Sequence, residues 1–287
     1  MTKNARLLFT SSRPLSWINT AFPFAAGYYM ISGRVDATLI VGSLFFLIPY
    51  NLLMYGINDV YDYESDLRNP RKGGVEGAVV PKEAHRFLLA WSYLLPVPFV
   101  LWLVIAGHSF LSTLVLLGCL FFVIAYSAKG LRFKEIPVLD SITSSLHFVG
   151  PLIYALSLVG WPAAVTPIVI AFFLWGMASH SLGAVQDIIA DREANIKSIA
   201  TVFGARTTIL FSLSCYILAS VLLASLGGFA ILLAILGLTY VLNLLPFIRI
   251  TDQEAEKTRA AWRRFLWINY LYGTAVTFVL IAITVNA

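Results

Sequence analysis

Residues 37–57, ATLIVGSLFFLIPYNLLMYGI, carry no charge for 21 positions and then stop in Asn58-Asp59-Val60-Tyr61-Asp62-Tyr63-Glu64-Ser65-Asp66. About 20 apolar residues are what an α-helix needs to cross a bilayer. The same arrangement recurs once. The apolar run 163–185 ends in Gln186-Asp187-Ile188-Ile189-Ala190-Asp191. Carboxylates are costly beside a membrane, so clusters of them at the ends of two spans point to a task. Basic residues follow each cluster at once: Arg68, Arg71 and Lys72 in the first case, Arg192 and Lys197 in the second.

Working outward, the 287 residues are 59% hydrophobic and only 12% charged, with a mean hydropathy of +0.81. Soluble domains are about 45–50% apolar and about 25% charged, which excludes that class. The expected fold is therefore all-α, a polytopic bundle of nine transmembrane helices forming one domain over residues 1–287. The spans are 14–32, 37–57, 87–106, 109–127, 138–159, 163–185, 207–226, 229–248 and 265–285. Cys119 and Cys215 both lie inside apolar runs, with no spacing suited to a disulfide framework or a thiolate metal site. Lys3, Arg6 and Arg13 precede the first span as in a signal peptide, but many similar spans follow, so it reads as a retained helix.

With nine spans, 19 of the 20 lysines and arginines fall on the side of the N-terminus, leaving Arg34 opposite. By the positive-inside rule that side is cytoplasmic and the C-terminus lies outside the cell membrane. This clustering explains the net charge of +5 without nucleic acid. Fourteen of the fifteen acids share the same side, Asp36 being the exception. Both polarities thus gather at one end of the bundle, as in a polar chamber opening to the cytoplasm above an apolar interior.

If the helix of the second span continues, Asp59, Asp62 and Asp66 stand at i, i+3 and i+7 on one face, with Asn58 at its edge. Asp187 and Asp191 share a face at i, i+4. Like charges so spaced repel unless cations intervene. Mg²⁺ suits the position, because it takes carboxylate oxygen and keeps places for water and phosphate. Five aspartates, two Mg²⁺ and a diphosphate leave a net charge of about −4. Arg68, Arg71, Lys72, Lys129, Arg132, Lys134, Arg192 and Lys197 surround the clusters and can balance it. The competing reading makes the aspartates solvated helix-end charges, which accounts for one cluster more easily than for two.

Asn58-Asp59-x-x-Asp62-x-x-x-Asp66, Asp187-x-x-x-Asp191 and nine spans together resemble the UbiA superfamily of intramembrane prenyltransferases. Asp66-Leu67-Arg68-Asn69-Pro70-Arg71-Lys72-Gly73-Gly74 and Leu131-Arg132-Phe133-Lys134 look most like the lycopene elongases of C50 carotenoid biosynthesis. The resemblance implies that Asn58, Asp59, Asp62, Asp66, Asp187 and Asp191 bind a Mg²⁺–diphosphate. It implies too that Arg68, Arg71, Lys72, Lys129, Arg132, Lys134 and Lys197 close over the diphosphate. Many relatives carry Tyr-x-x-x-Lys at the end of the fourth span. Here Lys129 follows Tyr126 one position early, so Lys129, Arg132 and Lys134 are alternatives.

The chemistry expected is alkylation of a lipophilic polyene such as lycopene by a dimethylallyl cation, the metal and the basic residues stabilising the departing diphosphate. Aromatic faces can steady the cation without attacking it. Candidates are Tyr50, Tyr55, Tyr61, Phe148, Tyr154, Phe172, Phe173 and Trp175. His180, seven residues before Asp187, and Asn51, seven before Asn58, are intramembrane polar groups able to take the last proton or hold water; His147 is a third. Other acceptors within the superfamily are aromatic quinone or chlorophyll precursors and lipid ethers. An ion path would need acids mid-span, and none lies there. A carotenoid-binding protein without turnover would not need paired metal-ligand spacing. Membrane lipid and other carotenoid enzymes are the expected neighbours.

Overall fold

The computed structural model describes residues 2–67 and 79–286. Arg68, Arg71 and Lys72 lie outside the described residues, as does the side chain of Asp66. Among the described residues every regular element is helical. Eight helical segments are long and apolar enough to span a membrane: Ala37–Tyr61, Lys82–Gly107, Phe110–Ser127, Leu139–Val159, Ala163–Val185, Ile199–Ala224, Ala230–Phe247 and Asp252–Val285. The chain is a multi-pass membrane protein. The span expected over 14–32 forms as a 3-10 turn, Pro14–Ser16, and a 16-residue helix, Trp17–Ser32, with Pro23 inside it. It is shorter than the other eight, so the count of nine holds only with this helix included.

The chain divides into two compact units. The first comprises residues 1–133 and 146–160. It contains α1 (Lys3–Ser11), α2 (Trp17–Ser32), α3 (Ala37–Leu47), α4 (Pro49–Tyr61), α5 (Tyr63–Asp66), α6 (His85–Leu94), α7 (Pro96–Gly107), α8 (Phe110–Ser127) and the later part of α9 (Leu139–Val159). The expected second span is two helices that meet at Ile48, because Pro49 cannot donate its share of the backbone ladder. The Phe46 carbonyl at the break accepts from Thr20 Oγ1 at 2.7 Å and Asn51 Nδ2 at 2.8 Å. Asn51, considered above for handling water, here also donates to Thr20 and ties α4 to α2. Around this joint the fully buried rings of Phe24, Phe45, Phe46, Tyr50 and Tyr154 contact one another edge-on, tilted or stacked. Buried aromatics of this size dominate core energetics.

The second unit comprises residues 134–145 and 161–287. After the start of α9 it holds α10 (Thr166–Val185), α11 (Ile188–Glu193), α12 (Ile199–Ala224), α13 (Ala230–Leu244) and α14 (Arg259–Asn286). α10 packs along α12, α12 along α13, and α13 along α14. Their core carries a second aromatic group, with Trp262 stacked on Phe265, Phe265 on Trp175, and Tyr240 on Tyr216. α12 is broken at Gly204, whose φ of 79° is open to glycine and strained for other residues. The helix restarts at Ala205, whose N–H donates to Asp252 Oδ1 at 2.7 Å. Asp252 thus serves as a cap brought from 47 residues away.

Candidate active site

In the first unit the aspartate cluster sits where α4 stops. The helix does not run on through all three aspartates: it ends at Tyr61, and Asp62 leaves helical geometry with φ −97° and ψ 2° before the short α5 begins. The last turn is still intact, since Asp62 N–H donates to the Asn58 carbonyl at 2.9 Å. Asn58, Asp59 and Asp62 therefore keep their helical relation. Asp66 falls on the far side of the break, so the expected i, i+7 alignment does not follow from one continuous helix.

Asp59 is 1% exposed and Asp62 7%. Carboxylates this buried need partners, and the structure supplies an arginine for each. Arg13 Nη2 lies 2.8 Å from Asp59 Oδ1, and its guanidinium sits over the Tyr55 ring, 4.1 Å from the centroid. Arg132 Nη2 lies 3.5 Å from Asp62 Oδ1. Asn58 Nδ2 bridges the two helices that meet here, donating to Asp62 Oδ2 at 2.6 Å and to Ser127 Oγ, at the end of α8, at 3.0 Å. The connection after α8 doubles back through two left-handed residues, Gly130 at φ 92° and Arg132 itself at φ 44°. A turn this tight lets a residue five positions beyond α8 reach a carboxylate on α4.

Of the basic residues expected at the diphosphate, Arg132 is thus brought to the aspartates. Lys134 is half-buried, while Lys129 and Lys197 are exposed. Arg192 is drawn elsewhere: its Nη1 pairs with Asp252 at 2.7 Å, and its Nε and Nη2 donate to the Thr201 carbonyl. It braces the break in α12 instead of standing as a spare cation. Arg13 was not singled out in the sequence, where it read as one of three topogenic charges. The signal available was its place directly before Pro14 at the mouth of a span.

In the second unit Asp187 directly precedes α11 and Asp191 lies one turn on, its N–H donating to the Asp187 carbonyl at 2.8 Å. The i, i+4 relation expected from the spacing is present, and both side chains are half-buried. His180 lies on α10, with Nε2 3.6 Å from Asp140 Oδ2. Asp140, in the first turn of α9, is completely buried. The sequence reading placed no acid within a span, and Asp140 is the nearest to an exception. An aspartate opening an apolar stretch is itself a request for partners, and that was the signal overlooked. His147 is engaged with α8, its Nε2 3.2 Å from the Phe122 carbonyl and its ring edge-on to Tyr126.

The donors at the first cluster, two carboxylates and an amide, are hard oxygen ligands of the kind Mg²⁺ takes. Two guanidinium groups now answer the negative charge that an ion would otherwise answer. Among the described residues no three His, Cys, Asp or Glu side chains are gathered closely enough to hold a metal by themselves. The set therefore fits an ion in its chemistry.

The model of the UbiA prenyltransferase family matches residues 20–269. The chain belongs to that family. As a prenyltransferase it is 52% identical over 285 residues to a lycopene elongase/hydratase of Corynebacterium glutamicum, covering 99% of both chains. It is 51% identical over 284 residues to the C(50) beta-cyclic carotenoids biosynthesis protein LbtBC of a Dietzia species, covering 94% of this chain and 63% of that one. Its fold is that of a UbiA homolog from Archaeoglobus fulgidus solved with DMAPP and Mg²⁺, with a TM-score of 0.65 at 19% identity, over 92% of this chain and 98% of that one. The enzyme class, the all-α membrane fold and the family expected from the two aspartate motifs are all borne out.

Proposed function

We propose that the enzyme transfers a dimethylallyl group from its diphosphate to lycopene, in a Mg²⁺-dependent step of C50 carotenoid synthesis. The observation that carries this reading is the pair of buried aspartates, each faced by an arginine, in a chain 52% identical to a lycopene elongase/hydratase along its whole length. The A. fulgidus homolog, bound to DMAPP and Mg²⁺, supports the donor. The charge census supports a cytoplasmic N-terminus and a site opening on that side.

Asn58, Asp59, Asp62 and Asp66 would hold one ion, and Asp187 and Asp191 a second. Bound there, Mg²⁺ supplies positive charge against which the diphosphate departs. Arg132, Lys129, Lys134 and Lys197, with Arg68, Arg71 and Lys72, take the remaining diphosphate oxygens. Arg13 fixes Asp59 and keeps its carboxylate aimed. The C1–O bond of the donor breaks, and the diphosphate keeps the electron pair. A terminal double bond of lycopene then attacks C1 of the allylic cation and leaves the positive charge on a tertiary carbon. Tyr50 and Tyr154 are fully buried in the packing of the first unit. Tyr55, under the Arg13 guanidinium, is the ring best placed near the aspartates. The charge on the tertiary carbon is discharged by loss of a proton or by capture of water, a step assigned to His180.

The test is a product assay on purified protein in lipid with Mg²⁺, dimethylallyl diphosphate and lycopene, read by chromatography and mass spectrometry. A gain of one or two C5 units, abolished by EDTA and by Asp59→Asn, is expected. Transfer only to an aromatic or lipid-ether acceptor would overturn the choice of lycopene. Metal-independent carotenoid binding with no transfer to any acceptor would overturn the enzymatic reading.

A further inference from the structure

We infer that Asp140 is the positioning residue for His180, and that the two form a dyad in which His180 acts as the base closing the reaction. The inference rests on the function proposed above and deepens it. Asp140 is fully buried, and donors on two helices fix both its oxygens. Oδ1 accepts from the Ser141 N–H at 2.6 Å and the Ser141 hydroxyl at 3.2 Å, and Oδ2 accepts from the Ile199 N–H at 2.7 Å. These donors are all neutral. Among the described residues no lysine or arginine stands within ion-pair distance of Asp140; the group that faces its charge is the imidazole of His180, 3.6 Å from Oδ2. Ser181, next to His180, meets Ser141 Oγ at 3.1 Å, so the two helix segments are tied beside the pair.

Exposure divides the two members. None of the Asp140 side chain is accessible, whereas 17% of the His180 side chain is. Of the pair, the imidazole is therefore the member with accessible surface. An aspartate held rigidly behind a histidine fixes the tautomer and stabilises the charge that appears on the ring when it takes a proton. Nε2 is the ring nitrogen that faces Asp140, at 3.6 Å, so the dyad assigns the incoming proton to Nδ1. After the new C–C bond forms, two endings balance. In one, a C–H bond beside the tertiary cation breaks, its electron pair makes a double bond, and the proton goes to Nδ1. In the other, a water oxygen bonds to the cationic carbon and the proton of that water goes to Nδ1. Either way the imidazolium returns its proton to solvent and Asp140 remains ionised throughout.

The test uses the full chain in lipid with the substrates above, comparing the wild type with His180→Ala, Asp140→Asn and the double variant, with and without added imidazole. His180→Ala should slow product formation about 10²-fold and Asp140→Asn about tenfold, each changing the ratio of hydrated to dehydrated product. Free imidazole should restore His180→Ala while Asp140 is present and fail to restore the double variant. A wild-type rate and product ratio in Asp140→Asn overturns the dyad. So does a loss in His180→Ala that imidazole does not recover, which would leave the pair a tie between helices. Carbethoxylation of His180 at alkaline pH, followed by mass spectrometry, reads the dyad without turnover. It should be several-fold slower in Asp140→Asn, and equal rates overturn the pairing even if the wild type prenylates some other acceptor.

Discussion

Arg13 and Asp59 stand 46 positions apart in the chain and 2.8 Å apart in the fold, the carboxylate sealed from solvent and the guanidinium laid across Tyr55. Removing one partner of a buried pair is destabilising, by up to about 3–5 kcal/mol. Arg13→Ala should therefore lower the thermal stability of the purified protein by that amount. Adding Asp59→Asn should recover most of it, which a double-mutant cycle of melting curves will measure. Arg13→Lys keeps the charge but loses the planar contact with Tyr55, and should fall between.

Arg132 reaches Asp62 from a surface turn, at 3.5 Å and with more of its side chain in solvent. Its loss should cost less than that of Arg13, because Asn58 Nδ2 still donates to Asp62. Arg132→Ala is expected to destabilise by about 1–3 kcal/mol and to lose about 10²–10³-fold in turnover if it holds the leaving diphosphate. Equal turnover in the two proteins would remove Arg132 from the diphosphate site.

Gly176 on α10 faces Ser145 on α9 closely. A methyl group there would lie 2.9 Å from Ser145 Cβ and 3.0 Å from its Cα, besides colliding with its hydroxyl. That hydroxyl donates to the Phe173 carbonyl on the same helix as Gly176. Gly176→Ala should destabilise by about 1–3 kcal/mol through overpacking, despite the better helix propensity of alanine. Denaturation in detergent checks it, and a stabilised variant would mean the two helices separate readily.

The Ala205 N–H, and with it the Arg192 guanidinium, hold the Asp252 carboxyl below its ordinary value against the opposing effect of burial. A carboxyl whose folded value is depressed gives stability that is fully present above its unfolded value of about 3.9. That stability is lost as the pH falls through the folded value. Acid titration of the melting temperature should show a wild-type component lost below about pH 4 that Asp252→Asn lacks. Identical acid profiles would show that Asp252 does not cap α12.

Much of this was legible in the sequence, and the reasons differ from part to part. The series of membrane-crossing helices followed from apolar run length, which answers to the solvent more than to packing. The aspartate motifs could be read because costly residues stood out against an apolar background. What stayed hidden was partnership. Arg13 looked like any topogenic charge, Arg192 like a free cation near a cluster, and Asp252 like a solvated acid. Each finds its counterpart tens of residues away, through breaks at Asp62 and Gly204 that periodicity does not register. Asp140 was missed because it opens a span, where an acid is easily taken for a helix-end charge. The split of the second span at Ile48 and Pro49 was announced by the proline, but the run of apolar residues across it masked the joint.

The break in α12 also sets an order of events during synthesis. Chains emerge N-terminus first and settle segment by segment. The Ala205 N–H needs a carboxylate that arrives 47 residues later, after α13 has been made. Until then the stretch from Ile199 to Gly204 lacks its restart, and Arg192 lacks its counter-charge. The part of α12 after Gly204 can enter the bilayer early, whereas the turn that leads into it must wait. The entrance to this unit is therefore among the last parts of the molecule to be fastened, and a nascent chain stalled before Asp252 would carry that entrance unfinished.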